Sequence, residues 1–341
     1  MRKLAAVLAA TLALALTQPA NAQAPEKRKV QIATASLGLP YLPLIIAQQR
    51  KYFADEGLEV EIAAFAGGSK ALQSLMGGSS DVASGAYSNT LTMAAKGQHL
   101  KNFVVQVRYP ALTIAVSNRV AARYKSPADL RGMKIGVSAP GSSTHMIVSH
   151  LLSKGGLTSN DVSIIGVGTS AAAVAAIQQG EIDAIINSDP VMAKLQTDNA
   201  VTVIAETRTR KGTEDLFGGP YPEAGLYATA EFIARNPHTI QALTNAIVRA
   251  QLWMQTASID DIAANVPADH MLGDKALYLD SYKRMHEAHA PDGLMTREGA
   301  QIVLNVLAAF LPEVRAANIK VEDTYDNRFV ETALKKWQGK M

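Results

Sequence analysis

Cysteine is absent from the 341-residue chain. No disulfide framework, cysteine-ligated zinc or iron–sulfur centre can therefore be built. An excess of one charge is also missing: 33 Lys+Arg stand against 30 Asp+Glu, a formal net charge of +3. A nucleic-acid binder needs a clear basic excess to neutralise phosphates, so that class is set aside. Charged residues reach only 18% while hydrophobic residues reach 48%, a balance that excludes a disordered chain. Among the seven histidines there is no H-E-x-x-H pair. His286-Glu287-Ala288-His289 comes nearest and reads as a solvated helix end. There is no G-x-S-x-G elbow and no phosphate loop ending in G-K-[ST]. No catalytic residue, metal site or cofactor is expected, and the chain reads as a non-enzyme.

Long apolar runs are also scarce. Residues 4–16 form one, after the basic start Met1-Arg2-Lys3 and before Ala20-Asn21-Ala22. A basic start, a short apolar stretch and a small-x-small end make a secretory signal. The run falls short of the roughly 20 residues of a membrane span. Residues 1–22 are therefore expected to be removed, leaving a mature chain from about Gln23 in an exported compartment, the periplasm. The other apolar run, 302–311, is shorter and is interrupted by Asn305.

What the sequence does have is an alternation. Strands read at 30–34, 58–64, 82–84 and 103–107, separated by helices at 42–53, 69–76 and 87–96. A second series follows: strands at 134–137, 162–167, 182–186 and 201–205, with helices at 142–154, 170–179 and 190–196. Short β-branched runs alternating with helices imply βαβ crossovers and parallel sheets. A shift of 102 residues places Ile62 on Ile164, Leu72 on Val174, Gly78 on Gly180 and Asp81 on Asp183, so the chain reads as one lobe written twice. Two further strands, 112–117 and 225–232, lie between the lobes, and helices follow at 237–255, 259–265, 275–286 and 296–310. Asn236 is the expected cap of the first of these and Pro237 its first turn. The fold class is α/β: two lobes, each a parallel sheet flanked by helices, joined by a hinge crossed twice. Lobe one takes 30–112 and 224–341, and lobe two takes 113–223.

In open parallel sheets ligands lie beyond the carboxyl ends of the strands, where loops feed helix N-termini. The loops at those ends are rich in Gly and hydroxyls. In lobe one they hold Ser36, Leu37, Gly38, Pro40, Tyr41, Gly68, Ser69, Gly85, Ala86, Tyr87 and Ser88. In lobe two they hold Gly141, Ser142, Ser143, Thr144, Asn187, Ser188 and Asp189. Arg108, after the last strand of lobe one, can reach an interlobe cleft and grip an oxyanion with two N–H donors. Asp189 and Glu223 bring negative charge to the same region. The run Gly166-Val167-Gly168-Thr169-Ser170-Ala171 fits the G-x-G-x-x-A dinucleotide pattern in form. It occupies a second strand turn, however, and its counterpart Phe65-Ala66-Gly67-Gly68-Ser69 lacks the pattern, so it reads as a generic anion-friendly turn.

Several segments resemble the substrate-binding proteins of the nitrate/sulfonate/taurine class of ATP-binding-cassette importers, which includes thiamine-pyrimidine binders. They are Leu44-Ile45-Ile46-Ala47-Gln48-Gln49-Arg50-Lys51-Tyr52-Phe53, Glu56-Gly57-Leu58-Glu59-Val60, the stretch from Ser126-Pro127 to Gly136-Val137, Gly141-Ser142-Ser143-Thr144-His145, Gly180-Glu181-Ile182-Asp183-Ala184 and Asn236-Pro237. The resemblance implies a two-lobed, type II periplasmic-binding-protein fold. It further implies a monomeric receptor, not inserted in the membrane, that closes around a small organic anion and delivers it to a permease and its ATPase. It carries the pocket onto Ser36 to Tyr41, Gly67 to Ser69, Gly85 to Ser88, Gly141 to Thr144 and Ser188-Asp189. Two alternatives stay open: an enzyme on the same fold acting on a pyrimidine-like substrate, and a ligand-sensing module.

Overall fold

In the computed structural model residues 24–337 and 339–340 are described; the expected signal at 1–22 and the mature start at Gln23 lie outside them. The described strands form two five-stranded sheets. The first holds β1 (Lys29–Thr34), β2 (Glu59–Ala64), β3 (Val82–Ala86), β4 (Leu100–Val105) and β10 (Ala224–Thr229), in the order β2-β1-β3-β10-β4. The second holds β5 (Leu112–Ser117), β6 (Lys134–Val137), β7 (Ser163–Gly166), β8 (Ala184–Ser188) and β9 (Val201–Glu206), in the order β7-β6-β8-β5-β9. With β6, β7, β8 and β9 as counterparts of β1, β2, β3 and β4, the two orders coincide. Ile62 pairs with Ile32 in one sheet, and Ile164 pairs with Ile135 in the other. The chain leaves the first sheet after β4, builds the second, and returns at β10, so the connection between them is crossed twice.

Four strands of each sheet run parallel, as the alternation implies, but β10 and β5 run antiparallel to both their neighbours. The sheets are mixed where purely parallel ones are expected. Connectivity explains it: a strand arriving from the other half needs no helical crossover and enters from the opposite end. β5 is buried along its whole length, as an interior strand covered on both faces must be.

One apolar core packs the first sheet, and another packs the second sheet and extends to Tyr87, Leu91 and Val105 of the first half. The helix Pro237–Thr256 packs Ile240, Leu243 and Ile247 into the first. The helix Arg297–Phe310 sends Val303 and Leu307 to the second, where Ile147 and Leu151 of the helix Ser143–Lys154 lie. Local differences from the expected elements have identifiable causes. The helix expected over 42–53 splits into Leu42–Gln49 and Tyr52–Asp55 because Lys51 adopts a left-handed φ of 60°. Asn236 does not cap the helix after it: its amide donates to Phe232 O. The Glu26 carboxylate takes that role, accepting from His238 N at 3.0 Å and Thr239 N at 2.8 Å. The helix Arg210–Phe217, unforeseen because it buries only Thr213, Leu216 and Phe217, is capped by Thr209 and ends at left-handed Gly218.

Candidate functional site

The strand ends of the two sheets face each other, and their loops touch. The Ser69 N–H donates to Ser142 Oγ across the gap at 3.0 Å, and Ser69 Oγ donates to Pro140 O at 3.0 Å. Leu39 N donates to Asp189 O at 3.3 Å. Gly38 and Gly67 make the approach possible. A Cβ on Gly38 would stand 3.0 Å from Ser188 Oγ, and one on Gly67 would stand 2.8 Å from Ala139 Cβ.

Between these contacts lies a cavity of about 30 Å³. Ala35, Ser36, Pro40, Tyr41 and Gly68 line it from the first half. Ser138, Ser143, Thr144, Thr169, Asn187 and Ser188 line it from the second. Pro110, Leu112 and Glu223 complete it from the two crossing segments. Two larger hollows flank it. One of about 500 Å³ is bordered by Leu37, Gly38, Thr169 and His270, and one of about 450 Å³ by Arg108, Tyr109, Arg210 and Pro222.

The helix Ser143–Lys154 points its N-terminus at this cavity and has no side-chain cap. Ser142, at its N-cap position, spends its hydroxyl on the N–H of Ser69, in the first turn of the facing helix Gly68–Met76. Ser142 thus caps a helix of the other half. Thr144 is turned inward, accepting from Ser138 N at 3.1 Å. The Asn187 amide donates to Gly168 O at 2.9 Å and its oxygen accepts from Ser188 N at 3.0 Å, which holds the β8 tip to the turn after β7.

The remaining anticipated residues lie elsewhere. Gly85, Ala86, Tyr87 and Ser88 pack beneath the cavity. Gly85 and Ala86 pair with β10, the Tyr87 hydroxyl bonds Thr324 Oγ1 at 2.6 Å, and Ser88 is buried. Gly141 is held at φ 81° by the turn before the helix. The Asp189 side chain faces away from the cavity. Both its oxygens meet Arg208, at 2.8 Å from Nε and 2.8 Å from Nη2, and Oδ1 also accepts from Ala193 N at 2.9 Å. Arg108 Nε donates to Glu287 O at 3.0 Å and the guanidinium lies 5.2 Å from the Tyr109 ring, outside the cavity.

Glu223 is the one ionisable carboxyl in the cavity wall and is only 4% exposed. Its Oε2 has no hydrogen-bond partner. Burial pushes its carboxyl up to about 7, with the Ser143 hydroxyl pulling it down in part. Burial, with Glu223 nearby, also raises the Tyr41 and Tyr221 phenols. One sequence signal marks Glu223: it is an acid in the Gly- and Pro-rich segment Gly219-Pro220-Tyr221-Pro222, directly before a strand. Among the described residues no group of His, Asp and Glu is placed to hold a metal, and no helix is long and apolar enough to cross a membrane.

Two sheets of matching strand order, joined by a connection crossed twice with a cavity between their strand ends, define the two-lobed solute-binding class of fold. The chain belongs to the NMT1-like family, whose profile matches residues 23–268. It is 48% identical to a protein of known structure from Bordetella bronchiseptica RB50, over 93% of this chain and 100% of that one, with a TM-score of 0.91. The alkanesulfonate-binding protein SsuA from Xanthomonas axonopodis pv. citri, solved with MOPS bound, shares the fold at 20% identity. That match spans 90% of this chain and 98% of SsuA, with a TM-score of 0.65. A third relative is the 4-amino-5-hydroxymethyl-2-methylpyrimidine phosphate synthase of Schizosaccharomyces pombe, 29% identical over 236 residues, 66% of this chain and 65% of that one.

Proposed function

We propose that this protein is the periplasmic receptor of an ATP-binding-cassette importer, that it closes around a small organic anion such as a sulfonate or carboxylate, and that it presents the anion to a membrane permease. The carrying observation is the cavity itself, lined from both halves, which the bonds from Ser69 to Ser142 and Pro140 hold together. An uncapped helix N-terminus at its wall supplies N–H donors and the positive end of a dipole, which favour an anion. Closure around the guest is a hinge motion between the two bodies built on the two sheets, bending where the helix Arg297–Phe310 packs against the second. Admission of a sulfonate requires that hinge to open, since about 30 Å³ is the space of one water molecule.

The relationship to a pyrimidine phosphate synthase favours a second reading, an enzyme acting on a pyrimidine-like substrate. The wall of the cavity offers hydroxyls, an amide and one carboxyl, with no lysine or histidine among the residues lining it. A thermal-shift screen with methanesulfonate, acetate, nitrate and aminopyrimidines separates the two, because binding to the folded state raises its melting temperature. The receptor reading expects stabilisation by an anion that is recovered unchanged. Stabilisation by a pyrimidine alone, with product formed, would replace it by the enzyme reading.

A further inference from the structure

Glu223 poses a chemical problem for an anion site. A carboxyl lies in the cavity wall beside the uncapped N-terminus of Ser143–Lys154. As a carboxylate it would repel an incoming anion and compete with it for the same N–H donors. No cation relieves it. No lysine, arginine or histidine lines the cavity, and Arg208, the partner of Asp189, is committed to that residue and Glu206. The titratable groups that face Glu223 are three phenols: Tyr41 from the turn after β1, Tyr221 from its own segment and Tyr227 from β10. All three are neutral at any pH the protein meets, because burial holds each of them above the ordinary phenol value.

The backbone around Glu223 is fixed. Its carbonyl accepts from Tyr87 N at 2.6 Å, and its N–H donates to Val107 O at 3.2 Å. The backbone that carries the side chain is thus held in place, and Oε2 is buried and unpartnered.

We propose that Glu223 is the specificity-determining group of the cavity and acts as a neutral carboxylic acid, donating its proton in a hydrogen bond to an oxygen of the bound anion. The site then captures a small anion together with one proton. The inference rests on the anion-receptor reading and adds the charge state of the site to it. No covalent bond changes: the proton comes from solvent, stays on the carboxyl and is shared with the guest. Such a bond, between a neutral acid and an anionic oxygen, belongs to the strong charge-assisted class. The raised titration of this buried carboxyl leaves it partly ionised near neutrality, so proton uptake accompanies binding.

The test is calorimetry of the mature protein with methanesulfonate, acetate and nitrate from pH 5.5 to 8.5, in pairs of buffers with different ionisation heats. For the anion that binds, affinity is expected to be level at the acid end and to fall by about tenfold per pH unit at the alkaline end, with close to one proton taken up there. Glu223→Gln, which keeps a neutral donor, is expected to abolish that slope, and Glu223→Ala to weaken binding at every pH. An anion that binds with level affinity and no proton uptake overturns this inference and leaves the receptor reading standing. Proton release on binding also overturns it, and points to a guest that donates N–H to a carboxylate. If no anion binds at any pH, in the wild type or in Glu223→Gln, the anion-receptor reading fails and this inference falls with it. The buffer-pair measurement on the wild type decides the matter even if a variant does not fold.

Discussion

Two buried side chains tie this protein's stability to pH in opposite directions. Glu223 titrates near 7 when folded against an ordinary 4.5, so the folded state holds more protons than the unfolded chain between those values, and stability falls as pH rises through that window. His289 donates from Nε2 to Leu39 O at 3.1 Å and is pushed by burial from 6.5 down to about 4. Its contribution is present above 6.5 and is lost as pH falls toward 4. Comparison with Glu223→Gln isolates the first. Urea titrations are expected to show the wild type losing about 3 kcal/mol relative to the variant between pH 4.5 and 8. A difference that stays constant with pH contradicts the burial argument. The Asp189–Arg208 pair gives a second expectation at this scale. Arg208 is 4% exposed and Asp189 is 1% exposed. Arg208→Met leaves a carboxylate buried without its cation and is expected to cost about 3–5 kcal/mol in denaturant titrations. A loss under about 1 kcal/mol would mean that water reaches Asp189 freely. Arg108, by contrast, faces the hollows outside the cavity. Arg108→Ala is therefore expected to leave the binding constant unchanged within about twofold, since only rim electrostatics is altered; a tenfold weakening by calorimetry would bring Arg108 into the site.

Among the elements, the turns do the functional work, and their glycines set how closely the halves meet. Gly38 has an ordinary φ of −72°, so a side chain there strains no backbone, and its Cβ first meets Ser188 Oγ, Asp189 O and Ser36 Oγ at 3.0 to 3.2 Å. Gly38→Val is expected to hold the halves apart, weakening solute binding by about tenfold or more through depletion of the closed form, while circular dichroism and melting stay close to wild type. Full affinity with an intact fold would show that closure does not pass through this contact. Alternation of strands and helices, and the loops at the strand ends, were legible in the sequence because apolar periodicity and Gly/Ser clusters are local signals. Ser36, Tyr41, Thr144 and Ser188 were placed at the cavity by that route. Side-chain direction was not legible. Ser142 serves the opposite helix, Asp189 serves Arg208, and Tyr87 serves Thr324. Each of those partners is far away in the chain, or depends on a turn whose geometry only the assembled sheets define. Glu26, capping a helix more than two hundred residues later, was illegible for the same reason. Antiparallel β5 and β10 were hidden because strand direction depends on where the chain enters a sheet, which propensity does not encode.

At the scale of the whole molecule, one apolar core belongs to the first half, while the second reaches across the connection: Val303 and Leu307 of the helix Arg297–Phe310 pack with Ile147 and Leu151 of the second half, so the gap opens by bending about this shared apolar side. What joins the halves at the cavity is polar and sparse: the bonds of Ser69 to Ser142 and Pro140, and of Leu39 to Asp189. Such contacts form and break at little net cost, since water replaces each of them on opening. The central claim is that solute drives this closure. The absence of native cysteine makes it measurable: Gln73→Cys and Ala171→Cys, exposed positions on one helix of each half, accept spin labels at those two sites alone. Pulsed electron-spin distance measurement on the labelled protein, with and without the anion identified by calorimetry, is expected to show a broad distribution collapsing to a shorter, narrow one on saturation. A distribution unchanged by an anion that calorimetry shows to be bound would contradict the account.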